Sequence, residues 1–243
     1  MSSPVPQYGG APWYKKAWGI LAIALVVMLA GALIYIGVNT ARFYKQIQLG
    51  DIPAEIKGRI TRGNFQTPKQ GNAKLAYATQ GDPTFGSSDA PLKIVEFADF
   101  ECPFSREESL VVRELMARFP NKIQFTYRDF PLPEIHPHAF RAAEAANCAQ
   151  DQEKFWEMHD KLFQNPDRLT DLDLKTYALE IGLNIVEFNA CFDGRKYKDE
   201  IEIDRADGKA AGVEGTPTFF INGARVPGAI PLELWEQIIA RVR

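Results

Sequence analysis

Cys102-Pro103-Phe104-Ser105 is the part of this 243-residue chain whose residue types and spacing point most directly to chemistry. It lies between an apolar run that reads as a strand and a segment that reads as a helix. At a helix start the backbone N–H groups converge and the helix end carries partial positive charge, which favours a thiolate, the nucleophilic form of cysteine. A lone cysteine is otherwise a common small buried hydrophobe, and position 102 taken by itself is open to that reading. Ser105 stands where a second thiol would complete a Cys-x-x-Cys turn. A dithiol closes its own disulfide and passes it on, whereas a monothiol attacks a disulfide and cannot resolve the mixed product from within. Ser105 is one helical turn from Cys102, close enough to donate a hydrogen bond to a thiolate. It also fits a helix cap, because Ser105-x-x-Glu108 has the form of a capping box. Glu96, six residues before Cys102, sits in the apolar run; a carboxylate there reaches solvent, finds a partner or titrates upward.

The two remaining cysteines, Cys148 and Cys191, fall on predicted helices near Phe155, Trp156, Leu162, Phe188 and Phe192. In an oxidising compartment such a pair forms a structural disulfide, and in a reducing one it remains two buried thiols. The three histidines, His136, His138 and His159, lack metal-ligand spacing. No metal is expected, and roles in helix-start capping and packing are.

These groups need a frame, and the hydrophobic pattern supplies one. LKIVEF (92–97) reads as a strand buried on both faces, a helix follows over 105–119, and IQFTYRDF (123–130) reads as a second strand. This is a βαβ unit. Helices are predicted around 138–150, 152–164, 171–182, 185–192 and 196–211. TFFI and ARV then flank Asn222-Gly223, a strong hairpin signal, and PLELWEQIIARVR closes the chain as a helix. The expected class is α/β, in the order βαβ, helical insertion (about 137–200), ββα.

Composition divides the chain further. Residues 17–41 carry no charged side chain and are long enough to span a bilayer as a helix, with Trp18 and Tyr35 near its ends. The run exceeds a signal-peptide core and no small-residue cleavage site follows it, so an uncleaved single-pass anchor is expected. Residues 1–16 then form a short cytoplasmic tail, 42–88 a Gly- and Pro-rich linker, and 89–243 the main domain. Lys15 and Lys16 nearly balance Arg42 and Lys45 across the span. The short tail without acids and the thiol chemistry favour a domain outside the cytoplasm. A net charge of −3 with scattered basic residues argues against nucleic acid as a partner.

Four segments in order, EFADFECPFS, FPLPEIHPHA, CAQDQEKFWEMHDKLF and GVEGTPTFFING, give residues 91–243 a resemblance to the DsbA-like branch of the thioredoxin superfamily. The resemblance implies a thioredoxin fold with an inserted helical subdomain. It implies that Cys102 is the attacking cysteine, that Glu96 is a buried acid assisting proton movement, and that Thr216-Pro217 is the cis-proline loop which binds a client's extended backbone beside Pro103 and Phe104. It favours a Cys148–Cys191 bridge. Phe104 stands where strongly oxidising members carry histidine, which implies a weaker oxidant. The expected function is membrane-anchored, extracytoplasmic thiol–disulfide exchange through one cysteine. The expected partners are cysteine-containing clients and a partner oxidoreductase, with no cofactor beyond glutathione as a co-substrate. Two alternatives stand beside it: a peptide-binding module without redox turnover, and a glutathione-dependent transferase or isomerase.

Overall fold

Leu92–Ala98 forms β2, the middle strand of a five-stranded sheet whose order is β1-β3-β2-β4-β5. The computed structural model describes residues 81–242, together with Leu25, Met28, Gly31 and Tyr35 nearer the amino terminus. Those four are helical and exposed and belong to the unit Met1–Ala54; the sheet belongs to the unit Glu55–Arg243. The tail over 1–16, the rest of the 17–41 span and the linker up to residue 80 lie outside the described residues. Among the described residues no helix is long and apolar enough to cross a membrane.

β2 pairs in parallel with β3 (Ile123–Asp129), and such a pair needs a crossover, which α1 (Pro103–Arg118) provides. β2 also pairs antiparallel with β4 (Thr218–Ile221), which turns back into β5 (Ala224–Pro227). The turn between them is Asn222-Gly223, with φ of 46° and 83°. Two consecutive positive φ values match the right-handed twist of a hairpin and suit Asn-Gly.

Thr84–Gly86 forms β1, antiparallel to β3, with Phe85 opposite Phe125. The linker predicted over 42–88 therefore gives way to the sheet by residue 84. A three-residue strand that follows Pro83 and ends in Gly86 is too short to show a period, and its stability comes from pairing with β3 rather than from its own sequence.

The sheet has a core on each face. On one side Ile94, Phe125, Tyr127, Phe219 and Ile221 pack with residues of α1 and with Trp235, Ile238 and Ile239 of α7 (Leu232–Arg241). The helical insertion extends this core through α2 (Ala139–Gln150), α3 (Phe155–Gln164), α4 (Asp171–Glu180) and α5 (Ile185–Asp193). On the other side Val95, Phe97, Phe130, Val213 and Phe220 form a smaller cluster. α6 (Lys198–Ala210) closes over that side at Gly208, where a Cβ would stand 2.7 Å from the Phe130 ring.

An ion network holds α6 to the sheet. The buried Arg128 of β3 donates from Nε to Asp204 at 2.9 Å and pairs with Asp207 at 2.9 Å and Asp82 at 3.6 Å, while Asp204 also accepts the Asp129 N–H at 3.0 Å. Burial still holds the Asp204 carboxyl up at about 6 despite Arg128, so here desolvation outweighs the attraction of the guanidinium.

Cys148 on α2 and Cys191 on α5 are joined by a disulfide with Cα atoms 5.8 Å apart, closing a separation of 43 residues. A loop of that length should contribute roughly 2–4 kcal/mol. Replacing both cysteines by alanine should lower the unfolding free energy by about that amount, measured by urea denaturation. A loss below about 0.5 kcal/mol would show that helix packing alone holds α2 to α5.

Candidate active site

Cys102 is the residue that starts α1. Its backbone is extended (φ −74°, ψ 124°), Pro103 occupies the first turn, and the Arg106 N–H donates to the Cys102 carbonyl at 3.0 Å. Pro103 belongs there because its missing N–H would have no helical partner and its fixed φ suits the first turn. Pro103 and Phe104 are exposed, Phe104 by 52%, while the thiol itself is buried. Phe104 thus presents an uncharged ring beside Cys102.

The thiol faces the connection into β4. Cys102 Sγ donates to the Thr216 carbonyl at 3.3 Å, and the Thr216-Pro217 peptide bond is cis. Pro217 is fixed from behind, its carbonyl accepting the Gly228 N–H at 2.8 Å, and Thr218 Oγ1 donates to Gly215 O at 2.7 Å. Thr216 and Pro217 are themselves buried, and Thr216 Oγ1 has no hydrogen-bond partner among the described residues. Cys102, Pro103, Phe104, Thr216 and Pro217 are therefore one cluster.

Ser105 joins it differently from expectation. The helix begins at Pro103 with Cys102 as its cap residue, so Ser105 lies inside the first turn, is fully buried and makes no capping box. Its Oγ accepts the Asp99 N–H at 3.4 Å. The capping pattern fails because proline starts the helix two residues earlier and Glu108 is turned inward.

That inward turn reveals a residue the sequence reading passed over. The Glu108 carboxylate is buried, with Oε1 accepting from Trp235 Nε1 and Oε2 from the Ile230 N–H, each at 2.8 Å. Burial raises its carboxyl to about 7 against those two hydrogen bonds, which favour the charged form, and the nearby Glu107 adds to the rise. Glu96 lies on the same face of the sheet, in register with Tyr127 and Phe219. Its burial, and then the charge of Glu108, hold its carboxyl well above the usual range. The buried Tyr127 hydroxyl has no hydrogen-bond partner among the described residues; burial, then the charge of Asp129, then that of Glu96, hold it in the protonated form. A sequence signal for Glu108 existed: Ser105, Glu108, Val112 and Leu115 follow one helical stripe, and the last two are apolar.

The histidines divide. His136 Nδ1 pairs with Asp99 Oδ2 at 2.8 Å. His138 precedes α2 without a side-chain cap, and its N–H donates to Glu101 Oε2 at 2.8 Å. His159 is packed among Phe100, Tyr127, Phe155, Trp156 and Phe163, and burial lowers its pKa despite a 2.9 Å contact with Asp160. Cys148 and Cys191 belong to the insertion and are bonded to each other rather than to Cys102.

The profile of a family described as thioredoxin matches residues 78–241. Among curated proteins, the chain is 40% identical over 154 residues to Na(+)/H(+) antiporter NhaA 3 of Salinispora tropica, covering 63% of this chain and 23% of that protein. It is 38% identical over 246 residues to Na(+)/H(+) antiporter NhaA 1 of Mycolicibacterium vanbaalenii, covering 90% of this chain and 40% of that protein. The chain thus spans less than half the length of either relative. Among solved structures, the thiol-disulfide exchange protein alpha-DsbA2 from Wolbachia pipientis superposes with a TM-score of 0.60 at 22% identity, covering 67% of this chain and 87% of that one. That likeness is one of fold.

The raised Glu108 carboxyl has a testable consequence. The folded chain holds this proton more tightly than the unfolded chain, so the group's contribution to stability falls as pH rises from the ordinary 4.5 towards 7. Between pH 4 and pH 8 the parent should lose about 3 kcal/mol relative to Glu108→Gln, read from urea unfolding at both pH values. An unchanged difference between the two proteins would rule out this titration.

Proposed function

This chain belongs to the thioredoxin family, and from that premise we propose that it is a membrane-anchored thiol–disulfide exchange protein working outside the cytoplasm through Cys102 alone. The observation that carries the reading is the hydrogen bond from Cys102 Sγ to the carbonyl of Thr216, next to cis Pro217. A nucleophile at a helix start then faces backbone that an extended client segment can pair with.

In the proposed reaction Cys102 loses its proton and its sulfur attacks one sulfur of a client disulfide. The Cys102–client S–S bond forms, the client's S–S bond breaks, and the released client sulfur takes up a proton. Electrons balance without a cofactor. Glu96 is the proposed proton relay, supported by its burial in β2 and its raised carboxyl. Exposed Pro103 and Phe104 would meet the client's side chains, while Thr216 and Pro217 would hold its backbone. The Ser105 hydroxyl cannot attack the mixed disulfide, so its resolution falls to a second client thiol, glutathione or the dithiol of a partner oxidoreductase.

The location is supported by the uncharged 17–41 run and by the Cys148–Cys191 bond, which suits an oxidising compartment. The Mycolicibacterium match, at 90% of the chain, is also too long to be confined to the thioredoxin-like part. Antiport is not carried over, since most of the length of the antiporter relatives lies outside the match.

Two tests follow. Ser105→Cys should let residues 102 and 105 cycle between dithiol and disulfide, raising oxidation of a reduced test protein well above the parent, at least tenfold. The parent should instead accumulate mixed disulfides that Cys102→Ala abolishes, seen on non-reducing gels. A parent without mixed disulfides and a Ser105→Cys variant without gain would transfer the site to peptide binding. For location, protease added to spheroplasts should digest the thioredoxin domain, and its protection would reverse the proposed orientation.

A further inference from the structure

The parallel ladder between β2 and β3 ends at the pair Ala98 and Asp129, and immediately beyond it the chain must hold Cys102 in place without sheet hydrogen bonds on that side. The side chain that takes over is Asp99. Its carboxylate is fully buried and accepts three hydrogen bonds: Oδ1 from the Glu101 N–H, and Oδ2 from the Leu132 N–H and from His136 Nδ1, each at 2.8 Å. Its backbone serves the same turn, because Asp99 O accepts the Cys102 N–H at 3.1 Å and the Asp99 N–H donates to Ser105 Oγ at 3.4 Å. One residue therefore touches both ends of the turn that carries the nucleophile and the loop beyond β3.

The composition of that loop makes the contact specific. Pro131-Leu132-Pro133 has a single backbone donor, since proline lacks an N–H, and Asp99 takes it. The Ile135 and His136 N–H groups fold back onto the Leu132 carbonyl at 3.0 and 2.8 Å, which brings the imidazole to the same carboxylate oxygen. Glu101 adds a parallel tie by accepting the His138 N–H. An uncompensated buried carboxylate would be strongly disfavoured, so three converging donors mark an arrangement in which the acid and the loop depend on each other.

We propose that Asp99, with His136 as its partner, is a positioning residue for Cys102, clamping the nucleophile's turn to the 131–138 loop so that the sulfur stays aligned with the Thr216 carbonyl. This rests on the exchange reading. It predicts a split between two kinds of reagent. A client-like peptide needs Cys102 aligned with the cis-proline loop, whereas a small alkylating probe needs only access to sulfur. The peptide to use is short and extended, with its single cysteine carrying a chromogenic thiol. Attack by Cys102 forms the Cys102–peptide disulfide and expels that thiol, which is measured.

Asp99→Ala should slow this exchange at least tenfold while iodoacetamide alkylation of Cys102 is unchanged or faster. His136→Ala, which removes one donor of the three, should slow it about threefold. The double variant should be no slower than Asp99→Ala, because the two side chains act as one clamp. His136→Ala and Asp99→Asn carry the test if Asp99→Ala does not fold, with Asp99→Asn also slowing exchange and sparing alkylation. Exchange within twofold of the parent in all variants overturns the clamp and leaves the exchange reading intact. An equal loss of exchange and alkylation overturns it in favour of general damage to the fold. A parent that is alkylated but never reacts with the peptide overturns the exchange reading, and the clamp with it.

Discussion

The arrangement of the site depends on a contact between residues 114 positions apart, the Cys102 thiol and the Thr216 carbonyl. It exists because β4 is laid beside β2, with Phe97 opposite Thr218, so that the start of β4 and the end of β2 meet at one end of the sheet. On one side of that meeting the helix starts at Pro103, and on the other a cis bond precedes Pro217. Neither segment could be moved by a residue without separating sulfur from carbonyl, since a one-residue slip in a strand turns every side chain to the other face.

Beneath that contact the protein tolerates an unfavourable arrangement. Glu96 and Glu108 are buried acids on the same side of the sheet, and each is raised by burial first. For Glu108 the two hydrogen bonds from Ile230 and Trp235 partly offset the loss of hydration, and they also attach α1 to α7. No side-chain hydrogen bond to Glu96 is found among the described residues, so its neutral form is the one the surroundings favour. A neutral acid in β2 is consistent with the proton relay proposed above. The same logic separates Glu96 from Asp99, whose three donors suit an acceptor with a fixed geometry.

The sequence made some of this legible and concealed the rest for physical reasons. β2 and β3 stand out as apolar runs, and the β4–β5 hairpin through Asn222-Gly223, because each signal is local. Glu96 is visible as a lone acid in such a run. Asp99 is not, and Glu108 shows only by its place on a helical stripe that turns apolar, because what defines them lies 33 and 37 residues away at Leu132 and His136, and 122 and 127 away at Ile230 and Trp235. Ser105 carries a misleading local signal, its capping pattern, which the proline at the helix start overrides. β1 escapes for the opposite reason, having almost no sequence of its own to read.

β1 also fixes where residues 82 and 83 stand. It runs antiparallel to β3, with Thr84 opposite Thr126 and Gly86 opposite Gln124, so the chain enters the sheet at the end where β2 delivers Cys102. Asp82, paired with Arg128, fixes the incoming segment there. β1 is two strands from β2, about 10 Å at ordinary strand spacing. Residues 82 and 83 therefore stand at the Cys102 end of the sheet, with β3 between them and β2.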